Sequence, residues 1–103
     1  MISSLPNFNF ARVATSALKK TGAGRVMAVQ LNGGSDAASL AIHNTSDGSG
    51  TAVYEVLAPF TDADASAAST VFVDLTPLGG VACSAYVYAK LAGTGAVAYV
   101  WYE

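Results

Sequence analysis

The feature of this chain that most restricts its fold is its punctuation. The glycine-bearing clusters "TGAG" (21–24), "NGGSD" (32–36), "NTSDGSG" (44–50), "TPLGG" (76–80) and "AGTG" (92–95) interrupt short runs rich in valine, tyrosine and alanine. Turn clusters roughly every 8 to 15 residues are the spacing of an all-β sandwich or barrel. Glycine supplies the positive φ that such turns need at little steric cost. Helix signals are nearly absent. The alanine-rich "DADASAAST" (62–70) is the one helix competitor, and without a periodic apolar face it reads as a loop with at most one helical turn.

Between the clusters the sequence predicts strands over 11–18, 25–31, 39–43, 51–57, 70–75, 85–91 and 96–102, with room for a short extra strand at 81–83. Successive strand side chains alternate between faces, so parity assigns the core. Met27, Val29 and Leu31 share one face. Leu40 and Ile42 point in while His43 points the other way, and Val71, Val73 and Leu75 oppose Phe72 and Asp74. Seven or eight short antiparallel strands of this kind fit two packed sheets, a jelly-roll-like sandwich. The chain of 103 residues suits one domain, read as a sandwich over 11–103 preceded by an arm over 1–10.

The last two runs, "AYVYAKLAGTGAVAYVWYE" (85–103), are apolar or aromatic on both faces. A hairpin closed by "AGTG" would set Tyr88 opposite Tyr99 and Tyr86 opposite Trp101, with Val87, Ala89, Ala98 and Val100 behind them. Neither face is then a water face. Either the aromatic face is core and the small aliphatic residues lie lightly exposed, or another subunit covers the second face. Charged residues are only 12% of the chain, about half the usual share, against 52% hydrophobic. So little charge for so much surface favours an obligate assembly.

Chemistry is poorly provided for, and the sequence predicts neither an enzyme nor a cofactor. His43 and Cys83 are the only histidine and cysteine, and neither stands in a nucleophile or metal-ligand motif. His43 reads as a surface strand residue and Cys83 as a small buried hydrophobe. A small enzyme pairing the two is the outside alternative. "TGAG" and "GTG" lack the lysine of a phosphate loop and the βαβ setting of a dinucleotide site. Asp62 and Asp64 read as a solvated acidic loop, since hard cations want six or more oxygens. A net charge of -2 with five basic residues gives no nucleic-acid footprint. No apolar run approaches the roughly 18 residues of a membrane helix. The opening "MISSLPNFNF" lacks the basic leader and apolar core of a secretory signal.

Two stretches resemble a family. "ALKKTGAGRVMAVQLNGG" (17–34) is similar to the opening of many small virion proteins of tailed bacteriophages, with a strand, a Thr-Gly-Ala-Gly turn and a valine-rich strand. "LTPLGGVACSAYVYAKLAGTGAVAYVWYE" (75–103) looks like their close, and the pattern spans about residues 11 to 103. The resemblance implies a jelly-roll-like fold and a structural role in the particle, most of all as a capsid cement (decoration) protein, a homo-oligomer with a trimer as first expectation, bridging major capsid subunits on the virion surface. Its synthesis would then take place in the host bacterial cytoplasm. The alternative is a tail-tip or fibre module that binds a host receptor, with exposed aromatics as a sugar platform. The expected interface residues are Leu5, Phe8 and Phe10 of the arm together with Tyr86, Tyr88, Tyr99 and Trp101. The arm, apolar but irregular around Pro6, is expected to pack against a neighbouring subunit, so that removing 1–10 leaves the β domain folded.

Overall fold

The structure, a computed structural model, describes residues 8–34, 37–58 and 70–103. Among the described residues nine strands run in order β1 (Asn9–Val13), β2 (Ala17–Thr21), β3 (Gly24–Asn32), β4 (Ala38–His43), β5 (Tyr54–Ala58), β6 (Thr70–Asp74), β7 (Val81–Cys83), β8 (Tyr86–Ala92) and β9 (Val97–Tyr102). One sheet, A, has the order β1-β9-β3-β6 with β7 also paired to β3; the other, B, has the order β2-β8-β4-β5. Every pairing is antiparallel.

The pairings are nested. β1 lies with β9, β2 with β8, β3 with β6 and β4 with β5, so the chain is one long double ribbon whose tip is the β4–β5 connection. Rolling that ribbon alternates its strands between the sheets and closes each sheet by a second contact, β3 with β9 and β4 with β8. This is the jelly-roll arrangement expected from the turn spacing.

Parity behaves as the sequence indicates except at Met27: an irregularity in the β3–β9 register between Val26 and Ala28 breaks the alternation, so Val26 and not Met27 joins Val29 and Leu31 in the core. Val29, Leu31, Leu40, Ile42, Val87, Ala89, Ala98 and Val100 are all fully buried between the sheets, with Val71 and Val73 packed against them. At about 25 cal/mol for each Å² of apolar surface removed from water, this layer is the main drive for folding. The 76–80 cluster forms a short 3-10 turn over Thr76–Leu78 ended by Gly79 at φ 78°. Gly80 follows at φ 84°, where an added Cβ would lie 2.5 Å from the Met27 sulfur, so both conformation and space demand glycine there.

Four expectations are corrected. The run 11–18 is not one strand: β1 and β2 belong to different sheets, and 14–16 carries the chain between them. Ser16 Oγ accepts a hydrogen bond from the Leu91 amide (2.9 Å), fixing that crossing against β8. The arm does not reach residue 10, because Asn9 and Phe10 already pair with Tyr102 and Trp101. Removing 1–10 would therefore cut into sheet A; residues 1–7 of the arm, with Leu5, lie outside the described residues, as does the 62–69 segment. The 51–57 run starts only at Tyr54, since 51–53 belong to the β4–β5 loop. Finally, β8 and β9 are not a hairpin. They follow each other along one leg of the ribbon, so "AGTG" crosses between the sheets instead of closing a ladder.

Candidate functional site

The crossing at 93–96 decides where the aromatic residues go. With Val87, Ala89, Ala98 and Val100 between the sheets, Tyr86 and Tyr88 point out of sheet B while Tyr99 and Trp101 point out of sheet A. The four aromatics expected on one face are divided between opposite sides of the molecule. The small aliphatic residues are the core and the aromatics are the outside, the reverse of one of the two arrangements left open by the sequence.

The two outer faces differ. On sheet B the chain covers part of its own face, around Tyr88, and leaves Leu18 39% and Leu57 61% exposed. Tyr88 pairs with His43 on β4 and with Leu18 on β2. The β4–β5 loop folds back over this point, and Gly48, buried at φ 76°, sits so close that an added Cβ would be 2.6 Å from the Tyr88 ring. An Asp47 carboxylate accepting from the Ser49 amide (3.0 Å) and a Thr45 hydroxyl donating to the Ser49 carbonyl (3.2 Å) shape the loop. Hydrogen bonds from the Ser49 hydroxyl and then the Ser49 amide hold the Asp47 carboxyl below its ordinary pKa. His43 ends 4% exposed with Nδ1 unpartnered, a correction to its reading as a surface residue. It does face away from the core, as parity requires. What sequence could not show is that the loop would bury it.

On sheet A nothing among the described residues lies over the aromatics. Phe10 on edge strand β1 is directly across from Trp101, with ring centroids 5.0 Å apart at 53°. Phe10 also stacks on Tyr99 at 5.6 Å and 12°, and Trp101 meets Phe72 of edge strand β6 edge-on at 5.9 Å and 83°. Trp101 can reach across β3 because its register partner there is Ala28. The rings form a strip across the whole sheet. Each such pair adds about 0.5–1.5 kcal/mol beyond the area it buries. The strip remains open to solvent, with Phe10 55% and Phe72 41% exposed.

Polar groups border it. Arg12 pairs in register with Tyr99 at the β1 edge and forms no ion pair among the described residues. Gln30, which lies within the strip between Tyr99 and Phe72 in the register, donates to Asn32 (3.1 Å). At the β6 edge Asp74 accepts from the Thr76 hydroxyl (2.6 Å) and amide (3.0 Å), which holds its carboxyl below the ordinary value.

Of the residues expected at an interface, the structure gathers Phe10, Tyr99 and Trp101, places Tyr86 and Tyr88 on the other side, and leaves Phe8 half-buried just before β1. It adds Phe72. Parity had already set Phe72 outward, but its partnership with Trp101 depends on β6 and β9 both flanking β3, which no local pattern reveals.

An open cleft of about 640 Å³ at one end of the sandwich is bordered by Lys20, Arg25, Asn44, Cys83, Ser84 and Glu103. Much of its polarity is engaged in holding the fold. Arg25 donates to the Gly79 carbonyl (2.9 Å). Asn44 Oδ1 accepts from the Ala85 and Tyr86 amides (2.8 and 2.9 Å) while its Nδ2 donates to Ser84 (2.8 Å). Cys83 belongs to the core, and burial pushes its thiol pKa up. His43 and Cys83 lie on opposite sides of sheet B, so they do not form the pair considered from sequence. Among the described residues no three His, Cys, Asp or Glu side chains gather. Comparison with protein-family models, with curated proteins and with solved structures gives no match to the chain.

Proposed function

We propose that the chain is a structural component of a tailed-phage virion, a capsid decoration (cement) protein that binds major capsid subunits at the particle surface. The observation that supports this reading is the aromatic strip on sheet A, which no described residue covers, together with the exposed Leu18 and Leu57 on the partly covered face of sheet B. A protein working alone gains nothing from leaving Phe10 and Phe72 in water, whereas aromatic residues concentrate where protein surfaces meet. The reading calls for a homo-oligomer, no cofactor, and synthesis in the host cytoplasm before assembly.

The same strip favours a second reading. Exposed rings bordered by Gln30, Asn32 and Asp74 are also the groups of a sugar platform on a tail-tip or fibre module. Quantitative mass spectrometry of particles produced by the genome that encodes the chain separates the two. A copy number comparable to that of the major capsid protein supports decoration. A handful of copies supports the tail, and absence from the particle refutes both.

A further inference from the structure

We draw no further inference here: the strongest candidate, the strip of aromatic rings across the outer face of sheet A, belongs to the site already described, and nothing among the described residues shows what covers it.

Discussion

Trp101 is paired in register with Ala28 across β9 and β3, and Ala28 is wholly buried although it faces out of the sandwich. The indole covers the small residue and reaches past it to Phe72 on the far side of β3. One aromatic side chain thereby ties three strands together on a surface where water would otherwise meet the backbone.

Trp101→Ala should therefore destabilise the fold by about 1–2 kcal/mol, the scale of a partly buried aromatic and its ring contacts. The measurement is urea denaturation followed by circular dichroism, because the substitution removes the only tryptophan. An unchanged midpoint would mean that the strip contributes nothing to the monomer and serves contact alone.

His43 gives a second comparison. As a surface residue it should tolerate alanine within about 0.5 kcal/mol, but at 4% exposure beneath the Gly48 turn its loss leaves a void. His43→Ala should cost about 1–3 kcal/mol. His43→Leu should cost less, because it fills the space without leaving the unpartnered Nδ1 in a dry site. Thermal melts of the two variants decide it, and alanine proving the milder change would be the contrary result.

Asn44 acts as a clamp from the end of β4 to the β7–β8 turn, satisfying the Ala85 and Tyr86 amides with one oxygen. Asn44→Ala should cost about 1–3 kcal/mol through the amides it strands. Asn44→Asp keeps an acceptor and should cost less. Hydrogen exchange at Ala85 and Tyr86 should quicken in the alanine variant, and equal exchange in both variants would rule out the clamp.

Cys83 is 2% exposed, and burial holds its thiol pKa above the ordinary 9.0. The folded chain keeps a proton that the unfolded chain releases. The contribution to stability is thus whole below 9.0 and is lost as pH rises beyond it. Asp74, exposed and held low by Thr76, works in the opposite sense: its contribution is present above 3.8 and lost as pH falls below that value. Native protein should resist a thiol reagent at neutral pH and react on unfolding. Cys83→Ala should flatten part of the alkaline fall in stability, and rapid labelling of the native chain would show that the thiol is accessible.

The sequence by itself determined the all-β class, six of the seven expected strand positions and the optional short strand at 81–83. It also determined the inward set of Val29, Leu31, Leu40, Ile42, Val71 and Val73. These follow from local physics, because side-chain alternation and glycine turns are written within a few neighbouring residues. Only the tertiary structure decided that 11–18 divides between sheets, that "AGTG" is a crossing, and that Trp101 reaches Phe72 while Tyr88 meets His43. A short turn at 93–96 can close a hairpin or bridge two sheets, and its own residues do not discriminate between them. The choice lies with partners far away in the chain, β9 with β1 and β3, β8 with β2 and β4, where burial of Val87, Ala89, Ala98 and Val100 in one shared core outweighs the single ladder a hairpin would gain. Because that core takes the small side chains, the aromatic ones are left outside, and the surface on which function is proposed is a consequence of the roll and not of any local motif.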